Sequence, residues 1–96
     1  MKQIETTEEF DDWFDDLRDH EAKSKIRARL YRAQLGNYGD YKSVGDGVLE
    51  MRIFHGAGYR VYFVERGLEI VVILAGGTKN GQQRDIKKAI EMSKKL

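Results

Sequence analysis

Arg52 and Arg60 are the residues in this sequence with the most chemistry to offer. They lie in residues 47–64, a stretch that reads as two strands around the glycine-rich turn His55-Gly56-Ala57-Gly58. Alternate residues of a strand share a face. Leu49, Met51 and Ile53 therefore line one side of the first strand, and Val61 and Phe63 one side of the second. The opposite side carries Glu50 and Arg52, then Arg60 and Tyr62. Guanidinium groups fixed on a sheet are suited to holding phosphate, because their planar fork matches its oxygens. With Lys79, and with Lys42 and His55 as neighbours, they form a cationic, aromatic surface.

Such a surface suits phosphodiester cleavage without a metal. Attack by a ribose 2′-OH needs a base, an acid for the leaving 5′ oxygen, and positive charge against the pentavalent phosphorane. Arginine and lysine supply the charge, and each preorganised donor of this kind is worth ~10²–10³ in rate. Tyr62 could stack on a base or move a proton. The plainer alternative is that Arg52 and Arg60 make salt bridges with Glu50 or Glu65.

Other chemistries find little support. The chain has no cysteine, hence no thiolate ligand, thiol nucleophile or disulfide framework. Its two histidines, His20 and His55, are not spaced as metal ligands, and no carboxylate pair converges. Ser24, Ser43 and Ser93 lack a nucleophile motif. Gly56-Ala57-Gly58 forms a hairpin turn rather than the strand-to-helix turn of dinucleotide sites. No cofactor is expected.

Ninety-six residues make one domain, 1–96, with one modest core. The acidic N-terminus is unlike a secretory signal, and no segment approaches the ~18 apolar residues that span a bilayer. A membrane partner is therefore not expected, and the cytoplasm is the expected location. The net charge of +1 conceals an asymmetry: residues 1–21 carry nine acids and two bases (−7), residues 22–96 fifteen bases and seven acids (+8). A basic body attracts polyanions, nucleic acid among them.

Several elements must position these groups. Thr6 and Glu9 fit a capping box opening a first helix, whose stripe is Phe10, Trp13, Phe14 and Leu17. A second helix runs from about Asp19 to Leu35, with Ala22, Ile26, Leu30 and Ala33 inward and Gly36 as its stop. Its basic residues, Arg27, Arg29 and Arg32 among them, either contact nucleic acid or form a solvated face paired with the acidic first helix. Tyr41 to Val44 is a short strand. Arg66-Gly67 reads as a two-residue hairpin loop. Leu68 to Ala75 is apolar apart from Glu69, as in a strand buried on both faces near the middle of the sheet, and Gly76 to Lys79 end it. A last helix covers about 82–95, with Ile86, Ala89, Ile90 and Ser93 inward. The expected fold is α+β: an N-terminal helical hairpin on a small, mainly antiparallel four-stranded sheet, with a C-terminal helix.

That order resembles the RelE/ParE superfamily of bacterial toxins, and the wording resembles its HigB-like branch, the phage Gp49-like addiction module killer proteins. The resemblance is carried by Arg29-Leu30, the run from Gly36 to Lys42, Gly45, Gly47-Val48 and the run from Glu50 to Ile53. Gly58 to Tyr62, Gly76-Gly77, Lys79, Gln82 and Asp85-Ile86 complete it, so that it covers nearly the whole chain. It implies the toxin of a type II toxin-antitoxin module, neutralised by a cognate antitoxin that is often a small helix-turn-helix DNA-binding protein. It further implies metal-independent cleavage of mRNA on the ribosome, and so growth arrest through inhibited translation. By position, the implied working residues are Arg52, Arg60 and Lys79, with Asp85. His55, Tyr62 and Asp85 are the candidates for proton transfer, while Lys42 and the basic second helix would contact RNA. Glu50 departs from the pattern, standing where RelE has a lysine. The segment Glu91 to Leu96 also lacks the tyrosine or histidine that some relatives place there. ParE-type relatives inhibit DNA gyrase without cutting RNA, which gives one alternative; a non-toxic, antitoxin-binding relative is another.

Overall fold

The computed structural model describes all of residues 1–96. Five strands and three α-helices follow in the order β1 (Gln3–Thr6), α1 (Glu8–Asp15), α2 (His20–Gln34), β2 (Tyr41–Gly45), β3 (Val48–Ile53), β4 (Tyr59–Arg66), β5 (Ile70–Thr78) and α3 (Gln82–Ser93). A 3₁₀ turn over Lys79–Gly81 leads into α3. The fold is α+β, with one sheet ordered β1-β5-β4-β3-β2. β2 to β5 form an antiparallel meander, and β1 pairs parallel to β5.

The expectation of a four-stranded sheet opened by an N-terminal helical hairpin thus does not match the order found: the sheet has five strands, and β1 precedes both helices. Gln3–Thr6 holds a single strongly apolar residue, Ile4, too little for a periodic signal, and tertiary pairing with Ile70–Ile73 makes it a strand. β1 also moves the helix cap by one residue. Thr6 ends the strand, and Thr7 is the N-cap. Its hydroxyl accepts from Phe10 N at 3.0 Å and donates to Leu74 O at 2.6 Å, joining the start of α1 to β5. Such a cap contributes about 1 kcal/mol. Glu9, expected to complete a capping box, instead pairs with Lys88 of α3.

Period-2 alternation divides the sheet into two apolar faces, each covered by helix. Met51, Ile53, Val61, Phe63, Val71 and Ile73 pack with Phe10, Ala22, Ile26 and Ala33, and the expected stripe residues Trp13, Phe14, Leu17 and Leu30 close around them. On the other face Val48, Tyr62, Val64, Val72 and Leu74 pack with Ala89 of α3, flanked by Ile86 and Ile90. The face that carries the arginines is therefore half core and half open, and α3 decides where the division falls.

β2 and β3 turn across Asp46 and Gly47, whose φ values of 53° and 81° give the two-residue loop with both central residues left-handed that matches strand twist. The β4–β5 loop holds three residues, Gly67 to Glu69, rather than the expected two, because Arg66 still pairs with Ile70. β5 runs past its expected end. Gly76 and Gly77 pair with Val61 and Arg60, and the lack of side chains on each admits a neighbour: Trp13 against Gly76 on the α1 side, Asp85 against Gly77 on the α3 side.

Candidate functional site

The register of β3 and β4 places Arg52 directly opposite Arg60, and Glu50 opposite Tyr62. Like charges facing each other across a strand pair repel, and carboxylates on either side relieve this. Arg52 Nη2 meets Asp40 Oδ1 at 2.8 Å, while Arg60 Nη1 lies 3.9 Å from Glu50 Oε1. The salt-bridge alternative is thus realised, though Asp40 supplies one partner and not Glu65. Glu65 instead accepts from the Tyr38 hydroxyl at 2.7 Å.

Glu50 is fully buried, and Gln82 Nε2 at the start of α3 donates to its Oε2 at 2.9 Å. Glu50 Oε1, the Tyr62 hydroxyl, Arg52 Nε and Arg60 Nε are buried with no hydrogen-bond partner in the protein. Burial first, and then the Glu50 charge, raise the Tyr62 pKa well above the ordinary phenol value, so this hydroxyl stays protonated. Tyr62 has no accessible surface and cannot stack on a base, which corrects one of the two roles expected of it.

A cleft of about 420 Å³ opens beside this buried network, lined by Arg52, Ile53, Phe54, His55, Gly56, Ala57, Gly58, Arg60 and Lys79. Four of the six expected catalytic residues come together there, and no carboxylate lines it. Lys79 is set against it by backbone: its N–H donates to Gly58 O at 2.8 Å, and Gly58, at φ 77°, leaves room for the Lys79 Cβ. His55 Nε2 lies 3.0 Å from Asp19 Oδ2, while Asp19 Oδ1 accepts from Ala22 N as the N-cap of α2. That backbone hydrogen bond is the main reason the Asp19 carboxyl titrates below its usual value. Asp19 therefore remains an anion able to orient the imidazole of His55, a residue of the cleft lining.

Tyr62 and Asp85 lie outside the cleft lining. Asp85 sits against Gly77 in a separate depression with Arg84 and Lys88. Burial raises its pKa, more than those two cations lower it. A raised carboxyl contributes stability that is complete below its unfolded pKa of about 3.9 and lost as pH rises through its folded pKa. Asp85→Asn is therefore expected to be more stable than wild type at pH 7 and to lose that advantage by about pH 3.5, read by urea unfolding at both pH values. A less stable variant at pH 7 would mean that the carboxylate holds a partner that outweighs its burial.

The expected RNA contacts divide. Lys42 is exposed and pairs in register with Glu50, so it shares the face of Arg60. Arg32 is exposed in a second cleft of about 250 Å³ with Lys25, Arg29, Asp40, Arg52 and Phe54. Arg27 is exposed but lies over the Phe14 ring, 5.2 Å from its centroid. Arg29 is committed to structure: its guanidinium donates to Arg52 O, Tyr38 O and Asp40 O at 2.6, 2.9 and 3.0 Å, tying α2 to β3 and to the segment before β2. Sequence reasoning missed Asp19, Asp40 and Phe54. Phe54 was within reach, since continuing the even-numbered face of β3 by one step adds it to Glu50 and Arg52.

No group of three or more His, Asp or Glu side chains is placed to hold a metal ion, and no helix is long and apolar enough to cross a membrane. No family model matches the chain. An uncharacterized protein of Haemophilus influenzae is 48% identical over 94 residues, spanning 98% of this chain and 95% of that protein. An identity this high across almost the whole of both chains makes this chain a member of the same family as the Haemophilus protein.

Proposed function

We propose that this protein is the toxin of a type II toxin-antitoxin module, a RelE/ParE-like, HigB-like endoribonuclease that cuts mRNA on the ribosome without a metal. The observation that carries the reading is the cleft in which Arg52, Arg60, Lys79 and His55 meet with no carboxylate in its lining. The order α1, α2, meander β2–β5, α3 supports the reading in part, since it follows the helix, helix, sheet, helix order on which the resemblance rests. β1 is an addition to it.

In this reading Arg60 and Arg52 hold the scissile phosphate, and they and Lys79 stabilise the phosphorane as charge develops. His55, oriented by Asp19, is the proton-transfer group that the cleft offers. Lys42 and Arg32 extend the cationic surface toward ribosomal RNA. The site of action is the cytoplasm, and the partners are mRNA, the ribosome and a cognate antitoxin, a small helix-turn-helix protein.

One observation favours a gyrase-directed reading instead. Of the three proton-transfer candidates, two, Tyr62 and Asp85, lie outside the cleft, so that His55 stands there without a second group to serve as its acid or base counterpart. Induced expression in a bacterial host separates the two. The nuclease reading expects labelled amino-acid incorporation to collapse while DNA synthesis continues. Induction of the DNA-damage response with intact mRNA would favour gyrase, and harmless accumulation of folded protein would overturn both.

A further inference from the structure

Phe54 has an unusual place for a large apolar side chain. It is 78% exposed, although the residue before it, Ile53, is buried in the core. Singly exposed apolar residues are common on proteins and by themselves mean little. Phe54 differs in what surrounds it. It lines both the cleft that holds Arg60 and Lys79 and the one that holds Lys25 and Arg32, and Arg52 also lines both. The ring thus stands where two cationic clefts meet. Asp40, the one carboxylate lining either cleft, is already bound by Arg52. In the loop beyond, Gly56-Ala57-Gly58 carry nothing larger than a methyl group, so the approach from that side is unobstructed.

We propose that Phe54 is a nucleobase-stacking platform for single-stranded RNA, seating one unpaired base while the phosphates on either side run into the two clefts. The proposal rests on reading the first cleft as an RNA site and adds to it a subsite and a path. Cationic grooves that follow a backbone, interrupted by an aromatic ring on which a base can lie, are how proteins hold single strands without reading sequence. A duplex does not satisfy this geometry, because its bases are not free to leave the stack.

Fluorescence anisotropy with the full-length protein and a short, uncleavable 2′-O-methyl oligoribonucleotide tests it, alongside the same oligonucleotide made abasic at every position. Phe54→Ala is expected to weaken binding of the base-bearing strand by about 5- to 100-fold, the range for losing one stacked base, and to leave the abasic strand unchanged. Phe54→Trp is expected to bind the base-bearing strand at least as well as wild type. A Phe54→Ala protein that binds as wild type, or that loses equally on both strands, overturns the proposal. Failure of the nuclease reading is separable. If the base-dependent loss is present and a purified translation system shows no mRNA cleavage, the stacking site stands and the catalytic assignment falls. If cleavage occurs and Phe54→Ala has no effect on binding, only the stacking site falls.

Discussion

Arg60→Ala is expected to reduce mRNA cleavage by about 10²–10³-fold, the cost of removing one preorganised donor from a developing anion. It is also expected to destabilise the fold, because Arg60 is the cation facing the fully buried Glu50 carboxylate, 3.9 Å away. Breaking a buried pair from one side costs about 3–5 kcal/mol. The low end applies here, since the pair is loose and Gln82 still donates to Glu50. Loss of cleavage in Arg60→Ala alone would therefore not separate chemistry from folding. The double variant Glu50→Gln/Arg60→Ala does so. A neutral amide needs no cation, so stability is expected to return toward wild type in urea unfolding while activity stays low. If the double variant were no more stable than Arg60→Ala, the Glu50–Arg60 contact would not be the source of the loss. If activity returned as well, Arg60 would be a support for Glu50 and not a donor to substrate.

The second large effect is expected at Gly76. A Cβ there would fall 2.2 Å from Trp13 Cζ3, against the six-membered ring of an indole that packs on Phe10 and Tyr59. Trp13 is only partly buried and borders two open clefts as well as Phe10 and Tyr59, so the ring can shift in part and Gly76→Ala is expected to cost about 2 kcal/mol, the middle of the range for overpacked cores. Trp13→Phe removes the ring that meets the new methyl group. In a double-mutant cycle the two substitutions should therefore couple, with Gly76→Ala costing clearly less in the Trp13→Phe background than in wild type. Additive losses would show that the glycine answers to backbone conformation and not to the indole. At Gly77 a new methyl group would lie 2.0 Å from Asp85 Oδ2. That obstacle is the far end of a side chain that can rotate away, so Gly77→Ala is expected to be the milder of the two.

These two sites also show how far the sequence could be read. Period-2 alternation put Arg52, Arg60, Glu50 and Tyr62 on one face of β3 and β4, and the register agrees residue by residue. The helical stripes, the stop at Gly36 and most of the inward side of α3 were equally legible, since each rests on local spacing or on a local backbone requirement; on α3 Met92, not the expected Ser93, joins Ile86, Ala89 and Ile90. What escaped depends on distant parts of the chain meeting. β1 exists because β5 offers it an edge. The partners of Arg52, Arg60 and His55 are Asp40, Glu50 and Asp19. Of these only Glu50 sits on the strand paired with its partner's, so alternation could reach that contact and not the other two. Alternation likewise could not reveal that α3 covers Tyr62 and leaves Arg52 at a cleft, because the position of that boundary is set by how far α3 reaches across the sheet. Arg29 is the clearest case. Its place in a basic helix suggested RNA, while three backbone carbonyls converge on its guanidinium.

Primer extension on mRNA in a purified translation system reads cleavage itself, comparing wild type, wild type without ribosomes, and the Glu50→Gln/Arg60→Ala protein shown to be folded. New 5′ ends within codons are expected only when ribosomes and Arg60 are both present. Intact mRNA under every condition with folded wild-type protein, or equal cleavage by the Arg60-less variant, would contradict the proposed Arg60-dependent nuclease.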